Sequence, residues 1–242
     1  MGATFCAILT AYLLGRFVLP LDSIAGRTRA VWPPLWRGAA LAAASYLLLG
    51  AFDWKILLVI LLTFLAVSAI KEYVASDSNA WFLWDHGLHF IILAGIAYCF
   101  PEPIKRGWWT TGLRPNVLEW YFAVLSCISG VILCVPAGGV LIARLIKPFT
   151  KEIGDNDIAG LARGGQYIGW LERILVMLLV LMDQPNGIGF LIAAKSILRF
   201  GEIKDATQRK VAEYIIIGTF LSFGWALLIS VLTRKAIQYW TR

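Results

Sequence analysis

The chain has 242 residues, of which 59% are hydrophobic and only 15% charged, against roughly half and a quarter in ordinary soluble domains. Stretches such as Trp54 to Ile70 carry an apolar residue at nearly every position and show no polar face, which excludes a soluble core built from amphipathic stripes and calls for lipid as the solvent. The net charge of +7 does not mark a nucleic-acid binder, because the Lys and Arg residues are spread over short loops and form no single basic face.

The pattern predicts an all-α, polytopic transmembrane bundle of about eight hydrophobic segments (range six to eight), at about 3 to 20, 37 to 52, 54 to 70, 80 to 100, 117 to 135, 167 to 183, 187 to 200 and 214 to 232. The first segment has no Lys or Arg ahead of it and is interrupted by Arg16, so it reads as a retained helix and not a secretory signal. The run Pro136-Ala137-Gly138-Gly139 is expected to break the fifth helix, since proline removes a backbone donor and glycine weakens helix propensity. Val140 to Lys147 would then lie at the interface, with Arg144 and Lys147 on one face toward headgroups. The polar stretch 151–166, carrying Asp155, Asn156 and Asp157, reads as a cytoplasmic linker between an N-terminal part, 1–150, and a C-terminal part, 167–242. The seventh segment is short for a span and reads as re-entrant or shielded by its neighbours.

More Lys and Arg fall in the loops that would be cytoplasmic if the N-terminus is outside, which favours that orientation in a bacterial inner membrane. Cys6, Cys99, Cys127 and Cys134 sit inside apolar segments with neither metal nor disulfide spacing, and read as packing residues. Small residues recur every four positions at Ser126, Gly130, Cys134 and Gly138, and again at Gly218, Ser222, Ala226 and Ser230. Helices in lipid approach through such residues, so both ladders read as packing seams, open to a neighbouring helix or to a second copy of the chain.

A charge in hydrocarbon costs about 2.5 to 3.5 kcal/mol on insertion scales, so each ionisable group inside a span calls for a partner. The candidates are Arg16; Asp85 with His86 and His89; Glu172 with Arg173; and Lys195 with Arg199. With about 1.5 Å of rise per residue, Arg16, Asp85, Glu172 and Lys195 are expected roughly 6 to 8 Å from the inner ends of their helices, at one depth. Glu172 and Lys195, on consecutive helices joined by Asp183 to Gly187, should form an ion pair, with Asp85 facing Arg16 or Arg173. Lys195 and Arg199, four apart, place two like charges on one face, which suits a phosphate or headgroup between them. Asp85 and His89 share a face, but two histidines in the whole chain are too few for a metal site, and no metal or cofactor is expected. No phosphate-binding glycine loop, nucleophile elbow or paired-histidine protease motif is present.

The runs Gly164-Gly165-Gln166-Tyr167-Ile168-Gly169-Trp170-Leu171-Glu172-Arg173, Ala193 to Phe200 and Glu213 to Thr219 resemble a bacterial family of polytopic membrane proteins known only as domain of unknown function 3307. The resemblance covers roughly residues 164 to 224 and implies a helical membrane fold with no established chemistry. Members of that family tend to carry a histidine, an aspartate and a glutamine in the first helix, where this chain has Tyr12, Arg16 and Pro20. An activity that depends on that triad is therefore not expected.

These readings converge on a membrane protein with an intramembrane polar cluster near the cytoplasmic leaflet that binds or transports an anionic small molecule or lipid headgroup. Two rivals stand beside it. One is an intramembrane enzyme that acts on a lipid-linked or phosphate-bearing substrate with Glu172 or Asp85 as acid or base. The other is a structural or effector subunit whose ion pairs only hold helices together. No catalytic residue is assigned; the expected partners are lipid, an anionic ligand and further copies of the chain.

Overall fold

Inside a bilayer no water is at hand to bind peptide groups, so a spanning chain must satisfy its own backbone, and a helix does this within a single segment. The computed structural model describes residues 1–18, 32–51, 53–74, 79–101, 107–150, 163–197 and 206–242. Every regular element among them is helical. In chain order these are α1 (Gly2–Leu13, continued by a π-helical turn Leu14–Val18), α2 (Trp32–Leu49), α3 (Trp54–Val74), α4 (Asn79–Cys99), α5 (Trp108–Gly112), α6 (Pro115–Ile132), a π-helical stretch Leu133–Ala137, α7 (Gly138–Thr150), α8 (Gly164–Leu181), α9 (Gly187–Ile197) and α10 (Ala206–Trp240).

Among the described residues four helices are long and apolar enough to cross a membrane: Phe82–Cys99, Pro115–Phe149, Gly164–Leu181 and Lys210–Trp240. This is compatible with an integral membrane protein. The sequence reading expects about eight spans; the other apolar helices, Gly2–Val18, Gly38–Leu49, Trp54–Val67 and Gly187–Ile197, are shorter. At 11 residues α9 is only about 16 Å long. Arg199 and most of the polar stretch 151–166 lie outside the described residues.

The helices form two compact units, Met1–Ser129 with Ala236–Arg242, and Gly130–Lys235. In the first unit α1 packs on α2 and α4, and α2 on α3. The end of α2 shows how its last carbonyls are satisfied. Gly50 takes φ +67°, a left-handed conformation that favours glycine, and an added Cβ there would collide with Trp109. The carbonyls of Leu47, Leu48 and Gly50 accept from Trp109 Nε1 at 2.9 Å, Tyr121 Oη at 2.8 Å and Trp108 N at 2.7 Å. Asp53 caps the start of α3 by accepting from the Lys55 amide at 3.0 Å. Tyr46, Trp108, Trp109, Tyr121, Phe122 and Trp240 cluster at this end of the unit, mostly edge-on, with Trp109 stacked on Tyr121, the composition of an interfacial aromatic belt.

The second unit corrects one expectation. The helix does not break at Pro136: α6 and α7 are one continuous rod from Pro115 to Phe149, with the π turn between them. Proline still removes a donor there, but in a dry setting the surplus carbonyls are taken up by neighbouring side chains and no loop opens. Gly138 N–H serves Leu133 O and Val135 O. Trp225 Nε1 donates to Leu133 O at 2.9 Å, and Arg173 Nη2 to Val135 O at 3.1 Å. Cys134, Val135, Val176, Met177, Phe223 and Ala226 form the buried core around this turn.

Candidate functional site

In the second unit α8 and α9 form a hairpin through Asp183 to Asn186, and the pair expected from sequence is present: Lys195 Nζ lies 2.6 Å from Glu172 Oε1 and 2.9 Å from Oε2. Both side chains are mostly buried, so each carboxylate oxygen offsets part of the cost of taking the ammonium out of water. The depth expected for Glu172 needs correction. Because α8 begins at Gly164, Glu172 is eight residues from that end and nine from Leu181, or roughly 12 and 14 Å. Glu172 therefore sits at mid-helix, not 6 to 8 Å from an end, while Lys195 lies in the last turn of α9.

Arg173, the next residue, projects about 100° away around the helix and is buried to 4% exposure. Its Nη1 donates to Ser222 Oγ at 3.1 Å and its Nη2 to Val135 O at 3.1 Å, while Nε is buried without a hydrogen-bond partner. No carboxylate lies within ion-pair distance of it among the described residues. Gly169 and Gly139 make room for the guanidinium: a Cβ on Gly169 would lie 3.1 Å from Nη1, and one on Gly139 3.0 Å from Nη2 and 3.3 Å from Trp170 Nε1. Two N–H-bearing groups, one of them charged, thus converge on the bare backbone of Gly139.

The first unit has its own polar set. Asp85, 7% exposed, receives Arg16 Nη2 at 3.3 Å, so of the two partners expected the structure pairs it with Arg16. His89 Nδ1 stands 2.7 Å from the Asp85 carbonyl and 3.3 Å from Oδ1. The carbonyl only accepts, so Nδ1 carries a proton and a neutral His89 has its lone pair on Nε2. That nitrogen is buried without a hydrogen-bond partner. Tyr12 stacks on His89 at 5.1 Å and its hydroxyl lies 3.4 Å from His86 Nδ1; Phe17 and Phe82 lie edge-on to His86, and Phe64 to His89. Fourteen residues separate Gly2 from Arg16 and Asp85 from Cys99, and both counts place the pair roughly 21 Å from the aromatic end. No group of three or more His, Cys, Asp or Glu suited to a metal ion occurs among the described residues.

The seam residues divide. Ser126 accepts from Trp240 Nε1 at 3.1 Å and lies 3.4 Å from Cys6 Sγ, with Thr10 and Ser129 bonded at 2.7 Å one turn on. Gly130 abuts Thr233, Gly138 abuts Trp225, and Ser222, Ala226 and Ser230 are buried. Among the described residues Gly218 makes no close approach, for a Cβ there would meet only Ile146, at 3.9 Å. Sequence reasoning also missed the roles of Tyr12, Trp170, Trp225 and the Val135 carbonyl. The available signal for the last was Pro136, since a proline inside an apolar helix advertises carbonyls in need of donors. The hairpin's outer pair was missed as well: Arg234 Nη1 donates to Asp183 Oδ1 at 2.6 Å, and this hydrogen bond, with the charge behind it, holds the exposed Asp183 carboxyl below its ordinary pKa.

No family model, curated protein or solved structure matches the chain.

Proposed function

We propose that this chain is a multi-pass protein of the bacterial cytoplasmic membrane that binds an anionic group, a small molecule or a lipid headgroup, at Arg173. The observation that carries the reading is a guanidinium 4% exposed in an apolar helix whose hydrogen-bond partners are neutral oxygens. Its neighbour Glu172 is engaged by Lys195. A lone buried cation is costly, and an anion that shares its site removes the cost, so affinity for anions follows from the same term that makes the bare charge unfavourable. The resemblance to domain of unknown function 3307 over residues 164 to 224, which includes this helix, supports treating the second unit as the seat of the function.

The test is thermal unfolding of the purified protein titrated with anionic lipid and with small anions. At least one class should stabilise the wild type saturably, by about 2.7 kcal/mol at a hundredfold excess over its dissociation constant, and should have no such effect on Arg173→Gln. Equal responses from the two proteins, or none from either, would end the reading.

A second reading, an intramembrane acid–base enzyme, draws on the first unit, where His89 presents a buried Nε2 backed by Asp85. It requires that His89→Gln lose turnover of a lipid-linked substrate while still folding; unchanged turnover would remove it.

A further inference from the structure

His89 stands at the middle of α4: ten residues separate it from Asn79 and ten from Cys99, roughly 15 Å in each direction. Its side chain is only 12% exposed. Nδ1 is committed, because the Asp85 carbonyl 2.7 Å away accepts and cannot donate. The lone pair of the neutral ring is therefore on Nε2, and that atom is buried without a hydrogen-bond partner. A proton is the one ligand that such an atom takes without any cavity, since it occupies the lone pair and adds no heavy atom.

An imidazolium at this depth calls for a counter-charge. Asp85, one helical turn away, supplies it, with Oδ1 3.3 Å from Nδ1. The neighbouring helices bring aromatic rings. Tyr12 of α1 stacks on the imidazole at 5.1 Å with 25° between the planes, and Phe64 of α3 lies across it at 6.0 Å. The electron-rich face of Tyr12 attracts a ring that carries positive charge.

Two further groups adjoin the carboxylate. His86 Nδ1 lies 3.8 Å from Asp85 Oδ2 and 3.4 Å from Tyr12 Oη, and Arg16 Nη2 lies 3.3 Å from the same Oδ2. Arg16 opposes the proton. With His89 neutral, Arg16 and Asp85 sum to zero, and a proton on Nε2 takes the three groups to a net positive charge in an apolar setting. The opposition is relieved at Arg16, whose side chain is 22% exposed and is carried on the π-helical turn Leu14–Val18 and not within regular α1. A long side chain with an accessible end can carry its charge toward water when another cation claims its carboxylate. A histidine at mid-helix has no such reach.

We infer that the first unit holds a membrane-embedded proton-binding site in which His89 takes the proton on Nε2 and Asp85 is a counter-ion shared with Arg16, so that proton uptake loosens Arg16 and proton release restores it. The proton arrives as hydronium, which leaves as water; the bond formed is Nε2–H, and Nδ1 keeps its own hydrogen. The site needs no substrate and is independent of the anion reading at Arg173. Because coupling between two ligands of one group is reciprocal, whatever weakens the hold of Arg16 on Asp85 must strengthen the hold of His89 on its proton.

The test uses the full-length protein in detergent micelles with ¹⁵N-labelled histidine rings, of which the chain has two. His89 is assigned by its loss in His89→Gln, or, should that variant not fold, as the ring that remains in His86→Gln. Between about pH 8 and 5, the range in which histidine changes charge, Nε2 of His89 should pass reversibly from the unprotonated to the protonated shift while Nδ1 stays protonated throughout. Arg16→Gln removes the rival for Asp85 and should hold the proton about tenfold more tightly; Asp85→Asn should hold it about tenfold more weakly, a displacement of about one pH unit each way. An Nε2 that does not change state in this range overturns the site, and so does a titration carried by Nδ1. A midpoint left unmoved or displaced the opposite way in either variant overturns the sharing of Asp85, and should one variant not fold, the other decides.

Discussion

The two units solve the same problem, an arginine inside an apolar helix, in opposite ways. In the first, Arg16 meets Asp85 Oδ2 at 3.3 Å, with His86 on the same oxygen at 3.8 Å and His89 on Oδ1 at 3.3 Å, and keeps 22% exposure. In the second, Arg173 is far more deeply buried and is met only by a hydroxyl and a carbonyl. The carboxylate that could have neutralised it, Glu172, points around the helix to Lys195. What separates the cases is where the counter-charge resides. The first unit carries it covalently and is electrostatically closer to complete, so its polar set reads first as helix pairing. The second unit holds an uncompensated cation beside an already neutral pair, which is the arrangement that an external anion completes.

Removing Asp85 should have the largest effect. Asp85→Asn takes the carboxylate away from Arg16 and from His89, and should destabilise the protein by about 3 kcal/mol, the low end for breaking a buried pair given the partial exposure of Arg16. Chemical denaturation in mild detergent reads this directly. If Asp85→Asn were as stable as the wild type, Arg16 would have no more need of its carboxylate than Arg173 has, and the contrast would collapse.

A smaller loss is expected at the hairpin pair. Glu172→Gln and Lys195→Met should each cost about 1 to 2 kcal/mol, and the double variant should cost less than their sum, giving a coupling of about 1 kcal/mol in a double-mutant cycle. The cycle also bears on Arg173, because with Glu172 neutral and Lys195 retained the surroundings of Arg173 gain positive charge. Anion-dependent stabilisation should then increase in Glu172→Gln; a decrease would show that Glu172 and not Arg173 organises the site.

The smallest effect belongs to Asp183 and Arg234. The carboxyl is held below its ordinary pKa in the folded protein, so its contribution is present above the unfolded value near 3.8 and fades as the pH falls through the still lower folded value. Being exposed, it should shift the unfolding midpoint only slightly, and Asp183→Asn should flatten that part of the profile as the pH falls below the unfolded value near 3.8, without altering the response to anions. An altered anion response would tie the hairpin turn to the buried site.

Much of the chain was legible from one dimension. Apolar runs without a polar face dictate helices, because hydrocarbon offers the backbone no other partner. Antiparallel helices joined by a short turn bring Glu172 and Lys195 to the same level almost by arithmetic. The requirement that a buried carboxylate be paired limited Asp85 to a few choices. Lengths were less certain, because apolar character runs past the ends of a helix or stops short of them: among the described residues four helices reach span length where about eight were expected, and α10 extends over 35 residues where a shorter segment was read. Gly218 shows that a small residue in register is permission for close packing, not proof of it.

By itself, then, the sequence determined the solvent, the helical class and the presence of charges that need answering, since these depend on residue type and local spacing. Only the tertiary structure decided that Pro136 makes a π turn and not a break, that Val135 O and Ser222 Oγ are what Arg173 bonds, and that Nε–H is left over. The physical reason is that a donor's partner in a dry interior is set by which backbone oxygen a distant helix presents at 3 Å, and no local pattern along one helix specifies what another brings to it.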